Sequence, residues 1–322
     1  MTLKLNAKHG LIVLLLIFCT GCTSSLNRQA KTDAQVSTHT LVVGGVTRSY
    51  FLDLPPASQR DGKYPLVLVL HGGGRGDGLS VAKHFGLSAL AARDGSILVY
   101  PNGLDGFWRD GRDQRFRDNG DRPVDDVAFI SALIDRLIAQ QRVDPKRVYV
   151  TGISNGGMMA FRLGCELSQK LTAIAPVAAS MPSRIYRTCQ PARSLPVLVM
   201  NGTQDPMVPY TGGYVHFYRQ KRGAVVSTEQ AISFWQRQNA CHTERVVQLL
   251  PDINLRDDSR VQWTRFGSEG SFCGVELYTV LGGGHTFPGS QIPDIPMLLG
   301  HKNQDIDGAQ VIWAFFQRSY QE

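Results

Sequence analysis

A serine between two glycines is the residue of this chain best suited to act as a nucleophile. Gly152, Ser154 and Gly156 form a G-x-S-x-G pattern. The pattern follows the apolar run Arg147–Thr151 and precedes the helix-like stretch Gly157–Leu167. A sharp turn between a strand and a helix lifts a serine hydroxyl clear of the sheet, and glycines avoid collisions where the two elements meet. The context predicts that Ser154 is an exposed nucleophile. An ordinary glycine-rich turn with a capping serine is the alternative.

The serine needs partners, because its hydroxyl is a weak nucleophile at neutral pH. A base must take its proton, and an acid must orient that base. On parallel sheets that carry this turn, the acid and then the base follow the serine along the chain. Asp205 comes five residues after the apolar run Val197–Met200, and His285 lies in a glycine-rich segment after Glu276–Leu281. We expect Asp205 to orient His285, and His285 to act as the base.

Other downstream histidines and aspartates are more simply explained as surface, packing or turn residues. The rival bases are His216, His242 and His301, and the rival acids are Asp252, Asp257, Asp258 and Asp294. Asp205 itself has a second interpretation, because aspartate before proline is common in turns. Asp125 and Asp126 could suggest an acid/base pair. They open a predicted helix, however, where carboxylates cap free N–H groups, so we interpret both as capping residues.

A second glycine-rich segment, HGGG, directly follows the apolar run Leu66–Leu70. A loop at this place commonly supplies backbone N–H groups to a developing oxyanion. We expect the N–H groups of Gly72 and Gly73 to serve as donors, joined by the N–H of Asn155. His71 comes before the serine, which is the wrong order for the base, so we expect it to brace the loop.

The elements that would position these groups follow from hydrophobic periodicity. The predicted strands are Leu41–Val43 and Thr47–Leu54, which form a hairpin, and Leu66–Leu70, Ile97–Tyr100, Val148–Thr151, Leu171–Ala178, Val197–Met200 and Glu276–Leu281. The predicted helices are Ser80–Arg93, Asp125–Gln140, Thr228–Asn239 and Ala309–Tyr320. This alternation predicts an α/β fold with a mostly parallel central sheet and helices on both faces.

Composition excludes some classes of partner. The chain has 322 residues, 43% of them hydrophobic, which suffices for one large core. The formal charge of +7 is dispersed. The densest basic stretch, Arg109–Arg122, also holds four aspartates, which a polybasic nucleic-acid arm would lack. We interpret that stretch as a solvated loop and expect no nucleic-acid partner.

The N-terminus is typical of an export signal. Lys4 and Lys8 precede the apolar run Leu11–Phe18, which is too short to span a bilayer comfortably. Small residues directly before Cys22 indicate a bacterial lipoprotein signal in which Cys22 carries the lipid. Ordinary signal cleavage and secretion is the alternative. We expect a signal peptide over residues 1–21, a flexible tether over 22–40 and a single catalytic domain over 41–322, anchored to a membrane of the periplasm or cell surface.

Export would place the remaining cysteines in an oxidising compartment, where an even number favours disulfides. Four cysteines allow three pairings. Cys165–Cys189 and Cys241–Cys273 close the shortest loops, and we predict that pairing. The tighter spacing typical of a metal site is missing, so we expect no metal.

Several stretches together resemble the poly(3-hydroxybutyrate) depolymerase and feruloyl esterase group of α/β-hydrolases. They are LVLVLHGGG at 66–74, YPNG at 100–103, DDVAFI at 125–130, TGISNGGM at 151–158, GTQDPMVPY at 202–210 and GGGHTFPG at 282–289. The resemblance spans essentially all of Leu41–Glu322. It implies the α/β-hydrolase fold and a serine esterase with the triad Ser154, Asp205 and His285, and it supports two disulfides. We expect no cofactor. Asn201 stands where a histidine is more familiar, which bears on substrate preference.

Aromatic residues near the predicted site are the candidate contacts for the substrate. Trp108 and Phe107 lie in a loop beyond the carboxyl end of a strand, where open α/β sheets bind ligands. Trp108 could stack on a feruloyl ring or pack the loop. Phe287, where the family more often has tryptophan, is a second candidate contact. We expect no linker or adsorption domain of the kind that polymer-degrading relatives carry, and therefore soluble esters or short hydroxyalkanoate oligomers as substrates. A serine peptidase on the same fold and a non-catalytic surface-binding protein are the alternatives.

Overall fold

The computed structural model describes residues 36–56, 62–74, 76–112, 124–217, 220–241, 244–267 and 273–321. The predicted signal peptide, Cys22 and most of the predicted tether lie outside these residues. The described chain from residue 36 onward belongs to one compact unit. The predicted tether over residues 22–40 extends too far, because a strand already begins at Ser37. None of the helices in the described ranges is long and apolar enough to cross a membrane.

Within the described residues, ten strands form the central sheet. The strands in chain order are β1 (Ser37–Val43), β2 (Val46–Asp53), β3 (Tyr64–Leu70), β4 (Ile97–Pro101), β5 (Val143–Ile153), β6 (Ala173–Val177), β7 (Val197–Gly202), β8 (Gly213–Phe217), β9 (Gln220–Val225), β10 (Arg245–Leu249), β11 (Arg260–Phe266) and β12 (Val275–Leu281). Their order in the sheet is β1-β2-β4-β3-β5-β6-β7-β12-β11-β10, and β8 and β9 form a separate hairpin. In this order, the neighbouring strands from β4 through β12 pair in parallel. At one edge β1 and β2, and at the other β11 and β10, pair antiparallel with each of their neighbours.

Helices cover both faces of this sheet, as predicted. They are α1 (Gly78–His84), α2 (Leu87–Asp94), α3 (Asp126–Gln141), α4 (Asn155–Glu166), α5 (Ser183–Thr188), α6 (Thr228–Gln238), α7 (Pro296–Leu299) and α8 (Gly308–Gln321). Leu66, Leu68 and Leu70 of β3 pack in the core shared with α3, α4 and α6. Val67 and Val69 face the opposite core, shared with α1, α2 and α8. Because successive side chains of a strand point to opposite faces, burial on both faces gives β3 its continuous apolar run.

The predicted helix Ser80–Arg93 is two helices in the structure. Gly86 lies between α1 and α2 with a φ of +76°, a conformation that glycine adopts without steric cost and that interrupts a right-handed helix. Gly95 ends α2 with a φ of +65°, which is the stop predicted for it. The predicted N-terminal hairpin is confirmed as the antiparallel pair β1 and β2.

The two adjacent aspartates at the start of α3 have different roles. Asp125 is the N-cap, and its side chain accepts the N–H of Ala128 at 2.9 Å. Asp126 is fully buried, forms an ion pair with Arg48 at 2.6 Å and accepts the backbone N–H of Arg109 at 2.6 Å. The capping interpretation is therefore confirmed for Asp125 and wrong for Asp126, whose carboxylate anchors the loop that approaches the serine turn.

Both disulfides have the predicted pairing. Cys165–Cys189 connects the end of α4 to the residue after α5. Cys241–Cys273 connects the segment after α6 to the segment before β12. Each bridge restrains the unfolded chain and so stabilises the folded domain, typically by about 2–4 kcal/mol.

Candidate active site

Ser154 is the single residue between β5 and α4. Its φ of 56° is in the region that residues other than glycine seldom occupy, and its ψ is −120°. Its N–H donates to the carbonyl of Val177 on β6 at 2.9 Å, and the residue is half-buried. The turn thus holds a partly exposed hydroxyl at the carboxyl end of β5, in the middle of the parallel strands.

The glycines of the motif are required by close packing. A Cβ on Gly152 would lie 2.8 Å from the Cβ of Leu70, and a Cβ on Gly156 would lie 2.5 Å from the carbonyl oxygen of His71. Both distances are shorter than real Cβ contacts. The serine turn can therefore sit against β3 and the loop that follows it only when these two positions lack side chains.

Asp205 and His285 are brought together by neighbouring parallel strands, because β7 and β12 pair directly and the loops after them meet. His285 Nδ1 lies 2.7 Å from Oδ2 of Asp205, whose other oxygen accepts the N–H groups of Met207 at 2.7 Å and Val208 at 2.8 Å. The histidine and aspartate side chains are 8% and 2% exposed. Because an ionised carboxylate can only accept, the imidazole proton sits on Nδ1 and leaves Nε2 free to act as a base.

Ser154 and His285 line one cavity of about 210 Å³. A smaller cavity of about 60 Å³ also borders Ser154, together with Asn155 and Gly74. Gly73 and Met207 border both cavities. A larger space of about 370 Å³ lies between β3, β5 and α8, and its walls include none of these residues. Two cavities that share Ser154 but differ in their other walls suit a substrate with one part in each.

The predicted oxyanion residues surround Ser154. A Cβ on Gly72 would lie 3.6 Å from the Cβ of Ser154, and one on Gly73 would lie 3.2 Å from that of Asn155. Asn155 is the first residue of α4, and the first N–H groups of a helix lack intrahelical acceptors. The loop after β3 and the start of α4 therefore bring backbone donors to the same place beside the serine.

The Asn155 side chain holds the neighbouring loop, a role that sequence reasoning missed. Its Oδ1 accepts the N–H of Trp108 at 2.8 Å, and its Nδ2 donates to the carbonyl of Trp108 at 3.0 Å and to Oδ2 of Asp110 at 2.5 Å. Arg112 pairs with the same carboxylate at 2.7 Å. The interpretation of Arg109–Arg122 as a solvated loop is wrong for its described part. Three of its charged residues, Arg109, Asp110 and Arg112, are buried against the site.

Trp108 and Phe287 pack into the protein rather than present rings to a ligand. Trp108 is fully buried, and its indole N–H donates to the carbonyl of His71 at 3.0 Å. Phe287 borders the cavity of about 210 Å³ but is only 1% exposed, because it stacks on Phe85 at 4.3 Å. Of the two alternatives for Trp108, the structure supports loop packing, and the prediction that it contacts substrate is wrong. Its neighbour Phe107 borders the smaller cavity instead.

The remaining histidines have other positions. His71 braces the oxyanion loop as expected: its Nε2 accepts the N–H of Gly103 at 2.9 Å, and its Nδ1 donates to the carbonyl of Gly72 at 2.7 Å. His216 borders the smaller cavity, and His301 bridges to Gly283 through the backbone. His242 lies outside the described residues. Among those residues no cluster of histidine, cysteine or carboxylate side chains could hold a metal ion.

We expect His71 to be neutral at pH 7, with its proton on Nδ1. Burial lowers its pKa below the ordinary value of 6.5, and the bond from Gly103 requires an unprotonated Nε2. The unfolded chain takes up this proton near pH 6.5 and the folded chain only at lower pH, so the contribution to stability is full above 6.5 and declines as the pH falls. Imidazole ¹⁵N–¹H spectra test this, and a proton on Nε2 at neutral pH would contradict it.

Comparison with known proteins identifies relatives of this chain. Residues 48–183 match the family model described as esterase PHB depolymerase. NocK of Nocardia uniformis subsp. tsuyamanensis, which is named as an esterase, is 31% identical over 88% of this chain and 83% of its own length. Feruloyl esterase B of Piromyces equi is 32% identical over 48% of this chain, and feruloyl esterase C of Emericella nidulans is 29% identical over 52%. These two matches span only 28% and 58% of the respective relatives.

Among solved structures, the acetyl xylan esterase from Aspergillus awamori superposes with a TM-score of 0.52 at 13% identity. The superposition covers 78% of this chain and 94% of that chain, and it shows the shared fold. With a relative 31% identical along most of its length and this fold, the chain belongs to the PHB depolymerase and feruloyl esterase family of α/β-hydrolases, and it is a carboxylic ester hydrolase.

Proposed function

We propose that Ser154, His285 and Asp205 form the catalytic triad of an exported serine esterase that acts on soluble esters or short hydroxyalkanoate oligomers. The observation that carries the proposal is the 2.7 Å contact between His285 and Asp205 at the wall of a cavity that also contains Ser154. The nucleophile, the base and the acid come from the ends of three strands of one sheet, which is where such enzymes assemble their active sites.

The mechanism follows from the roles of these groups. Ser154 Oγ attacks the ester carbonyl carbon while Nε2 of His285 takes its proton, and Asp205 stabilises the imidazolium that forms. Backbone N–H groups of Gly72, Gly73 and Asn155 are the candidates to bind the oxyanion, and such donors are each typically worth about a hundred-fold or more in rate. His285 then protonates the leaving alcohol. Water, activated by the same base, releases the acid from the acyl-enzyme.

Export is part of the proposal. Two disulfides suit an oxidising compartment rather than a reducing cytosol. The basic and apolar start of the sequence supplies the signal, and Cys22 supplies the residue for a lipid anchor. Radiolabelled palmitate incorporation by the native chain, compared with Cys22→Ala, separates an anchored esterase from a secreted one.

A fluorophosphonate probe tests the function directly, because it reacts covalently with activated serines. We expect labelling of the purified protein at the peptide that contains Ser154, in parallel with loss of p-nitrophenyl butyrate hydrolysis. Unlabelled protein without ester turnover would favour the non-catalytic alternative, and labelling with faster peptide than ester cleavage would favour the peptidase. Label on another serine would contradict the assignment of Ser154.

A further inference from the structure

Lys302 is a buried cation in the wall of the cavity that Ser154 and His285 share. The residue is 9% exposed. Its Nζ donates to the backbone carbonyls of Ser290 at 3.2 Å and Ile292 at 2.6 Å, and it forms no ion pair with any carboxylate in the described part of the chain. Buried charges in proteins are normally paired with an opposite charge. Here two neutral carbonyls hold the ammonium group, and no carboxylate of the described residues pairs with its charge.

The rest of this cavity wall is largely apolar, with Ile153, Ile292 and Leu299 among its residues. Ser290 also lines the cavity, but its hydroxyl oxygen is buried and makes no hydrogen bond with any described residue, so we assign it no contact with a ligand. A buried cation in an apolar cavity suits an anion with oxygen acceptors, such as a carboxylate.

The position of His285 indicates which part of an ester this cavity receives. The base that takes the serine proton must give it to the leaving alcohol, so the alcohol lies on the histidine side of the serine. The cavity of about 210 Å³ contains His285, whereas the walls of the smaller one do not include it. This step rests on the proposed triad. The larger cavity is then the alcohol site, and the smaller one receives the acyl group.

We propose that Lys302 determines specificity by binding a carboxylate on the leaving alcohol, so that the preferred substrates are O-acyl hydroxy acids with a free carboxylate. Asp294 is the opposing charge in the cavity wall. It is exposed to solvent, where water and salt screen it, while Lys302 is buried and its field is screened much less. The net electrostatic preference of the inner cavity is therefore for an anion.

The test compares two esters that differ in one group of the alcohol, a carboxylate or the neutral carboxamide. O-butyrylglycolate and O-butyrylglycolamide share an acyl group and have alcohols of similar size. Longer homologues, with added methylenes between the ester oxygen and the carboxylate or amide, vary how far that group reaches toward Lys302. For the chain length that the wild type prefers, we expect kcat/KM, measured by butyrate release, to favour the carboxylate by about tenfold to a hundredfold, the range for a charge-assisted hydrogen bond. Lys302→Met should bring that ratio close to one, and Lys302→Arg should restore much of it.

Lys302→Arg also controls for folding, because it keeps a positive charge at the position that the carbonyls of Ser290 and Ile292 hold. A wild-type ratio near one across the homologues overturns the proposal. A Lys302→Met variant that loses activity equally on both esters, and so keeps the wild-type ratio, overturns it as well. Failure of the triad is distinguishable, because the wild type would then hydrolyse neither these esters nor p-nitrophenyl butyrate.

Discussion

Replacing Ser154 by alanine is expected to lower kcat for p-nitrophenyl butyrate by about a million-fold, the loss typical when the nucleophile of a serine triad is removed. The change deletes one oxygen and keeps the Cβ, so the strain of the turn at φ 56° is the same in both proteins. Gly152 and Gly156 continue to pack against β3. The melting temperature should therefore stay close to that of the wild type while the chemistry is lost.

A matched control separates this effect from a general one. Ser194 is an exposed serine outside both cavities, and its hydroxyl makes only a 3.4 Å contact with the carbonyl of Gln238. Ser194→Ala should keep wild-type turnover and wild-type labelling by the fluorophosphonate. Retention of more than about one hundredth of the wild-type kcat by Ser154→Ala is far above the residual rate left by positioning and oxyanion donors, and it would exclude Ser154 as the nucleophile.

The parallel part of the sheet could be predicted because its strands are buried on both faces and therefore read as apolar runs. The antiparallel edge at β10 could not. Each residue of β10 is exposed, so its sequence, RVVQL, carries no burial pattern that distinguishes it from a loop. Its neighbour β11 contains Arg260 and Arg265, and it is a strand because β12 offers a free edge in register with it. That pairing is a property of the assembled sheet rather than of the segment.

The positions of Ser154, Asp205, His285 and the loop after β3 at one edge of the sheet were predictable, because each follows a strand and glycines lie beside it in the sequence. Contacts between distant loops have no such signal. Nothing near Trp108 in the sequence indicates that Asn155 binds both of its backbone groups and buries it. Nothing near Lys302 indicates that its amine reaches the carbonyls of Ser290 and Ile292 in the cavity that His285 also lines. These contacts depend on how loops after separate strands fold over one edge of the sheet.

Replacing Asp205 by asparagine is expected to lower kcat about ten-thousand-fold without disturbing the loop, the size of effect seen when a triad carboxylate becomes an amide. The amide oxygen can still accept the N–H groups of Met207 and Val208, which hold the side chain at 2.7 and 2.8 Å. The amide nitrogen then faces Nδ1 of His285 and donates to it. The imidazole proton must move to Nε2, where it blocks acceptance of the Ser154 proton.

Asp294→Asn is the matched control, because that residue borders the same cavity but is exposed and does not contact His285 in the described structure. It should keep kcat for the neutral ester p-nitrophenyl butyrate within about twofold, since a screened surface charge adds little to a reaction that carries no charge of its own. Asp205→Asn should also slow fluorophosphonate labelling, whereas a residue that only shapes the turn before Pro206 would leave labelling and turnover nearly unchanged. A kcat within tenfold of the wild type in Asp205→Asn would therefore assign Asp205 to that turn and leave His285 without its orienting acid.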